Sequence, residues 1–145
     1  MRAIDADTDC LFVYGTLMSR SRHPMALRLA AESASLGAAT ICGQLYSLGA
    51  YPGACPSGDP RNRVHGDVLK LRRPQHSFSW TDTYEGCGED APEPHGFKRV
   101  IVTARLMTGR HVDTWVYYYQ GPLGNARRLR SGRYCPAKSL TGLSS

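Results

Sequence analysis

Residues 11–17, with the sequence LFVYGTL, form an apolar run that stops at a turn of small residues. The run suits a strand buried on both faces, and Gly15 followed by Thr16 lets the chain turn with its N–H groups exposed. Backbone N–H groups in such a turn bind anions, so the segment predicts a binding site at the end of a strand. The same pattern also serves as an ordinary connection, and that alternative stays open.

Two later segments carry further candidate site residues. The stretch 49–63 is rich in proline and glycine, which indicates a loop, and it is long for a passive connector. Tyr51 and Pro52 are therefore candidate pocket residues, with a surface loop and a tucked tyrosine as the alternative. Tyr119 is a candidate pocket wall or hydroxyl donor, although at least one ring of the triplet 117–119 must face the core.

The cysteines and histidines do not indicate a metal site. The five cysteines are Cys10, Cys42, Cys55, Cys87 and Cys135. Their number is odd and they form no C-x-x-C pair, which favours buried reduced thiols over a zinc knuckle or a disulfide framework. Cys87, in a glycine-flanked loop, is the one candidate for a reactive thiol, and a hydrolase that uses it is an alternative enzyme class. The histidines have no ligand spacing, so we expect no metal.

Composition favours a globular protein. With 145 residues, 41% hydrophobic and 21% charged, we expect one domain over 1–145, with a core at about 10–134. No apolar run approaches the roughly 18 residues of a membrane helix. Asp5, Asp7 and Asp9 stand where a secretory signal would be basic and apolar. We therefore expect a cytoplasmic protein without membrane contact.

Positive charge is concentrated in the tail, residues 122–145. The net charge is +6, and no acidic residue follows Asp113. The basic residues that follow it are Arg127, Arg128, Arg130, Arg133 and Lys138. A solvated surface is the simpler interpretation. Nucleic-acid binding is the alternative, which the tail's single aromatic residue, Tyr134, disfavours.

Periodicity predicts an α+β order of β-α-β-β-α-β-β with a curved, largely antiparallel sheet. The predicted strands are 10–14, 39–48, 64–71, 97–107 and 112–120, and the predicted helices are 23–32 and 74–84. Gly43 inside the second strand indicates a bulge or bend, and the residues 108–110 indicate a hairpin. The second helix carries Asp82, which can pair with Arg99, and Glu85 on its last turn.

Five local patterns, in this order, resemble the gamma-glutamylcyclotransferase superfamily, in particular its AIG2-like branch, which includes gamma-glutamylamine cyclotransferases. The patterns are YGTL at 14–17, GQLY at 43–46 with YPG at 51–53, VHGDV at 64–68, DTYEG at 82–86, and FKR at 97–99 leading to WVY at 115–117. Their shared order carries the resemblance, which covers roughly residues 11 to 134.

The resemblance implies a small, curved, mixed β-barrel flanked by helices, with the active site at one mouth. Backbone amides of the loop formed by Tyr14, Gly15, Thr16 and Leu17 would bind the alpha-carboxylate or amino-acid end of the substrate, or stabilise charge on its carbonyl oxygen, and Glu85 would be the catalytic acid/base. The implied substrate is a small gamma-glutamyl compound. Its alpha-amine attacks its own gamma-carbonyl and releases 5-oxoproline and an amine or amino acid. The family uses no cofactor or metal.

The residues are consistent with that chemistry. The attacking amine is protonated at neutral pH, so a nearby carboxylate must remove a proton and can return it to the leaving nitrogen. Departures from the family pattern are Thr81 at a usually apolar position, Phe97 in place of a common tyrosine, and a long acidic loop at 89–95. They leave the substrate's leaving group open. A catalytically silent binding module for glutamate-like metabolites is the alternative function.

Overall fold

The computed structural model describes residues 7–15, 24–48, 52–84 and 96–134. Its elements in chain order are β1 (Cys10–Val13), α1 (Pro24–Ala31), β2 (Ser33–Cys42), β3 (Gln44–Ser47), β4 (Pro52–Cys55), β5 (Arg63–Leu71), α2 (Pro74–Tyr84), β6 (Phe97–Leu106), β7 (His111–Tyr119) and β8 (Arg127–Leu129).

Five strands close into a barrel. Around the ring the order is β1, β5, β2, β6, β7 and back to β1, and β1 runs parallel to β7 at the pair Leu11 and Trp115. The other pairings in the ring are antiparallel. Beyond the barrel, β7 also pairs in parallel with β4, which continues the sheet through β3 to β8. The predicted mixed, largely antiparallel barrel with flanking helices is confirmed.

Strand β1 is buried on both faces, as its sequence predicts. Phe12, 1% exposed, belongs to a cluster of residues from the barrel strands, joined by Tyr14 just after β1 and by Leu45 and Ala54 of β3 and β4. Leu11, fully buried, belongs to a second cluster with Leu29 of α1 and Phe78 of α2. Because successive side chains of a strand point to opposite faces, β1 joins the interior of the barrel to the layer under the helices.

The predicted strand 39–48 is wrong in its start and in its continuity. The structure divides it at Gly43, where a Cβ atom would lie 2.9 Å from the carbonyl oxygen of Cys55. β2 begins earlier, at Ser33, and its pairing with β5 shifts register at Gly37, whose φ is 104°. The register shift is therefore at Gly37, while Gly43 marks the break between β2 and β3 and permits a close approach of two backbones.

Two strands lie in segments that the sequence predicts to be loop or tail. β4, inside the predicted loop 49–63, has the sequence PGAC, and β8 lies in the basic tail. Neither has a strong strand propensity of its own. β4 forms because β3 and β7 pair with its two edges, and β8 forms because β3 pairs with it. Tertiary pairing overrides local preference at both places.

A partly exposed carboxylate joins the two helices. Glu32, just after α1, accepts hydrogen bonds from Ser77 Oγ at 2.7 Å and Trp80 Nε1 at 2.9 Å, both on α2. Burial opposes ionisation of Glu32, but these hydrogen bonds and one from Arg28 outweigh it and hold the pKa of this carboxyl below its usual value. No helix among the residues that the structure describes is long and apolar enough to cross a membrane.

Candidate active site

One edge of β7 is shared by two strands. β6 pairs along the whole of the other edge, whereas β1 meets β7 at Trp115 and β4 meets it at Tyr118. The side chain of Tyr14 lies where β1 ends and β4 takes its place. Its hydroxyl donates to the carbonyl oxygen of Tyr117 at 2.7 Å and accepts from the amide of Ala54 at 3.0 Å. This one hydroxyl therefore ties the ends of three strands together.

Close approaches bring the same strand ends together. A Cβ atom on Gly15 would lie 2.9 Å from Cγ of Pro52, so the end of β1 packs against the start of β4. A Cβ atom on Gly53 would lie 2.9 Å from Cβ of Tyr119 and 2.6 Å from Cδ1 of Leu48. Because real Cβ atoms do not approach so closely, both positions depend on the absence of a side chain.

The last turns of α2 are fixed to β7 by a buried polar network. The Tyr117 hydroxyl donates to Oδ1 of Asp82 at 2.6 Å and lies 2.7 Å from Oγ1 of Thr81, which is fully buried. Arg99 of β6 donates to both carboxylate oxygens of Asp82, from Nε at 2.8 Å and from Nη2 at 3.1 Å. The predicted pair of Asp82 and Arg99 is confirmed, and its role is to hold the helix end.

Aromatic rings hold the Arg99 guanidinium in place. Its Cζ atom lies 4.0 Å from the ring centre of Phe78 and 4.3 Å from that of Trp115. The positive charge meets the negative faces of both rings while the fork of donors meets Asp82. The guanidinium therefore has a defined position from which to orient the carboxylate.

Tyr117 is a structural donor in this network. Burial, followed by the neighbouring Asp82 carboxylate, raises the pKa of Tyr117 far above its ordinary value. The phenol therefore keeps its proton at neutral pH and does not act as a base. The same residue accepts from Tyr14 through its carbonyl oxygen, so it bridges the end of α2 and the end of β1.

The structure describes part of the predicted site. Tyr14, Gly15, Pro52 and Tyr119 are described and lie around the shared edge of β7. Glu85, Thr16, Leu17, Tyr51 and Cys87 lie outside the described residues.

The described tyrosines differ in what they can offer a ligand. The Tyr14 hydroxyl is buried, 7% of the residue being exposed, and its hydrogen bonds go to the backbone of Tyr117 and Ala54. The Tyr119 hydroxyl donates to the carbonyl oxygen of Pro122 at 2.9 Å, and its ring meets Phe97 edge-on at 5.4 Å. In this arrangement Tyr119 can serve as a pocket wall.

Sequence reasoning missed the contribution of Tyr117 and Thr81 to the site. Thr81 could have indicated it, because a hydroxyl at a helix position where an apolar residue is usual needs a hydrogen-bond partner when it is buried.

Among the residues described, no group of three histidine, cysteine or acidic side chains is arranged to hold a metal ion.

A family model for gamma-glutamyl cyclotransferase, AIG2-like proteins matches residues 11–136. The chain belongs to this family. Among curated proteins, the gamma-glutamylcyclotransferase family protein YtfP of Citrobacter rodentium is 30% identical over 127 residues, which cover 86% of this chain and 93% of that protein.

Two solved structures share the fold. An AIG2-like protein from Mus musculus superposes with a TM-score of 0.60 at 18% identity, covering 88% of this chain and 95% of that one. YkqA from Bacillus subtilis gives a TM-score of 0.67 at 19% identity, with 93% of this chain matching 42% of that longer chain. The chain thus spans less than half of YkqA, and at these identities the likeness concerns the fold alone.

Proposed function

We propose that this protein is a gamma-glutamylcyclotransferase that converts a gamma-glutamyl amine or amino acid into 5-oxoproline, with Glu85 as the general acid/base. Family membership supports the reaction class. The contacts of Tyr117 support the assignment of residues. They join Asp82, near Glu85, to Tyr14, at the start of the predicted loop.

The observation that carries the proposal is the double role of Tyr117. Its hydroxyl holds Asp82, and its carbonyl oxygen holds Tyr14. Glu85 follows Asp82 by three residues, and three residues of chain span at most about 11 Å. Gly15 directly follows Tyr14. Tyr117 therefore links the chain segment that carries the Glu85 carboxylate to the segment that carries the loop amides.

The reaction needs one proton carrier. In the proposed mechanism the Glu85 carboxylate takes a proton from the substrate's alpha-ammonium group, and the free amine attacks the gamma-carbonyl carbon. A five-membered ring closes as the new C–N bond forms. The nitrogen that is now in the ring releases its second proton to solvent, the gamma C–N bond breaks, and Glu85 returns its proton to the leaving nitrogen. The products are 5-oxoproline and a free amine or amino acid.

Binding must hold the substrate folded, because the attacking and attacked atoms belong to one molecule. We assign the alpha-carboxylate to the backbone amides of Gly15, Thr16 and Leu17. Amides in a turn of this kind carry partial positive charge and need no counter-ion. Pro52 and Tyr119, with Tyr51, would form the walls that select the leaving group.

The test is release of 5-oxoproline from gamma-glutamyl amino acids and from gamma-glutamylamines, measured by liquid chromatography and mass spectrometry. We expect wild-type protein to turn over a member of one class. Replacing Glu85 by Gln removes the proton carrier with little change of shape, and we expect the rate to fall by about 10²-fold or more. Glu89→Gln makes the same chemical change four residues further on and should leave the rate within about twofold of wild type, since no proton transfer is assigned to it.

Two results would contradict the proposal. Equal rates for wild type and Glu85→Gln would remove Glu85 from the mechanism. Saturable binding of glutamate-like ligands without any turnover would instead identify a silent binding module. Circular dichroism of each variant would separate loss of chemistry from loss of fold.

A further inference from the structure

A recess that shares no residue with the proposed active site lies where β8 and the turn after it meet the start of β5. Its volume is about 180 Å³. The residues around it are Gly43, Gln44, Leu45, Arg61, Asn62, Arg63, His65, Arg128, Leu129, Arg130, Ser131 and Gly132. Four of these are arginines and none is acidic, so the recess is strongly basic.

Two of the arginines are held in place by uncharged groups. Arg63 donates to Oγ1 of Thr40 from Nη2 at 2.9 Å and from Nε at 3.1 Å, and Arg128 donates from Nη2 to Oδ1 of Asn62 at 2.9 Å. Both arginines are half-buried. Because the acceptors of these hydrogen bonds are neutral, the bonds fix the guanidinium groups without cancelling their charge.

Acidic side chains near the recess balance only part of its positive charge. Asp59 pairs with Arg61 at 2.9 Å at the exposed rim, and its carboxylate also interacts electrostatically with Arg128, so one acidic group lies near four arginines. Burial lowers the pKa of His65, and the nearby cations Arg133 and Arg63 lower it further, as expected where positive charge is in excess. Charge of this kind, placed in a concave site, attracts anions.

One donor in the recess has no partner. Nε of Arg128 is buried and makes no hydrogen bond among the described residues. A buried donor without an acceptor costs free energy, and for a charged group the cost is higher. The hydrogen bond to Asn62 uses Nη2 of Arg128 and leaves Nε without an acceptor. An anion bound beside Arg128 would supply that acceptor.

The turn that completes the recess is docked in a defined way. Gly132 has a φ of 72°, its carbonyl oxygen accepts from the amide of His65 at 2.8 Å, and a side chain there would run into the carbonyl oxygen of Arg63. Residues 130–132 therefore pack directly on β5 only because position 132 is glycine. The turn that carries Arg130 is therefore held against the strand that carries Arg63.

We propose that this recess binds the phosphate group of a small molecule. Two fixed guanidinium groups with a third, Arg130, on the rim match a doubly charged anion better than a single carboxylate, and arginine forks fit phosphate oxygens in pairs. Among the described residues, no phenylalanine, tyrosine or tryptophan lines the recess and His65 supplies its single aromatic ring, so it lacks the series of rings on which successive bases of a nucleic acid stack. The site is independent of Glu85 and of the proposed cyclotransferase reaction.

The test is calorimetric titration with inorganic pyrophosphate and inorganic phosphate in a phosphate-free buffer. We expect saturable binding with one site per chain. Arg128→Gln removes the unpartnered donor and should weaken binding by about tenfold or more, as for loss of charge-assisted hydrogen bonds. Arg127→Gln is the matched control: it makes the same change of charge one residue away on β8, where the alternation of the strand turns the side chain to the other face. It should change binding by less than about twofold.

A second variant covers the case in which Arg128→Gln does not fold. Arg130 is exposed, so Arg130→Gln should leave the fold intact and weaken pyrophosphate binding by about threefold. Equal effects of the Arg127 and Arg128 variants, or no saturable binding of either anion, would overturn the proposal. Tighter binding of glutamate than of pyrophosphate would identify a carboxylate site instead. Tighter binding of a twelve-nucleotide single strand, insensitive to Arg128→Gln, would assign the charge to nucleic-acid contact and also overturn it. Glu85→Gln should bind pyrophosphate as wild type does.

Discussion

Replacing Tyr117 by phenylalanine removes one hydroxyl and leaves the ring in its buried place. The hydroxyl makes a hydrogen bond of 2.6 Å to the Asp82 carboxylate and one of 2.7 Å with Thr81. A hydrogen bond to a charged group contributes about 1.5–3 kcal/mol, and a buried hydroxyl left without its partner costs about 1–3 kcal/mol. Asp82 keeps two hydrogen bonds from Arg99, so we take the lower part of each range.

The expected loss in the free energy of unfolding for Tyr117→Phe is therefore about 3 kcal/mol, a large share of the roughly 5–15 kcal/mol that stabilises a domain. Urea denaturation followed by tryptophan fluorescence measures it, because Trp115 lies two residues away on β7. Tyr118→Phe is the control: its hydroxyl makes one hydrogen bond, to the carbonyl oxygen of Cys42 at 2.9 Å, and its loss should cost about 1 kcal/mol.

A double substitution sharpens the same test. Adding Thr81→Val to Tyr117→Phe removes the stranded partner, and replacing both members of a buried pair by apolar groups is nearly neutral. We expect the double variant to recover about 1 kcal/mol relative to Tyr117→Phe. If Tyr117→Phe is no more destabilising than Tyr118→Phe, or if adding Thr81→Val only lowers stability further, the network does not hold the end of α2 as described.

Two further substitutions test other parts of the fold by urea denaturation. The carboxylate of Glu32 has a lowered folded-state pKa, so its stabilising effect is present above the unfolded-state pKa of about 4.5 and is lost as the pH falls through and below that value. The difference in unfolding free energy between wild type and Glu32→Gln should be constant near pH 7 and shrink below about pH 4.5. A difference that does not change with pH would contradict the role given to this carboxylate. Gly53→Ala should destabilise by about 1–3 kcal/mol because its Cβ would meet Leu48 and Tyr119, whereas Gly58→Ala, with open space around it, should stay within about 1 kcal/mol of wild type. Equal stabilities for the two alanine variants would show that the backbone at position 53 yields without cost.

Local patterns in the sequence predict the elements whose neighbours in the chain are also their neighbours in space. The hairpin of β6 and β7 follows from alternation on both sides of a turn at Gly109, and β1 follows from a short apolar run. α2 begins at a proline that the first turn of a helix tolerates, and its bounds match the prediction. These features depend on periodicity and turn chemistry, which a sequence shows directly.

Strands formed by distant pairing could not be predicted in this way. β4 consists of residues that rarely form strands and depends on β7, more than fifty residues later in the chain. The hydrogen bond from Ala54 to Tyr14 spans forty residues, and that from Tyr14 to Tyr117 spans more than a hundred. The same holds for the candidate site: family patterns name Gly15 and Pro52, but their contact depends on two strands sharing one edge of β7.

Among the described residues, the branch of the sheet that leaves the barrel ends on β8, so β8 is the strand edge that another copy of the molecule would meet. An open strand edge offers unpaired amides and carbonyls to any chain that can extend it, which is the usual route to fibrils. β8 is only three residues long and carries Arg127 and Arg128. A second molecule joining there would have to bring like charges together for very few backbone bonds, so the edge should resist strand-by-strand aggregation.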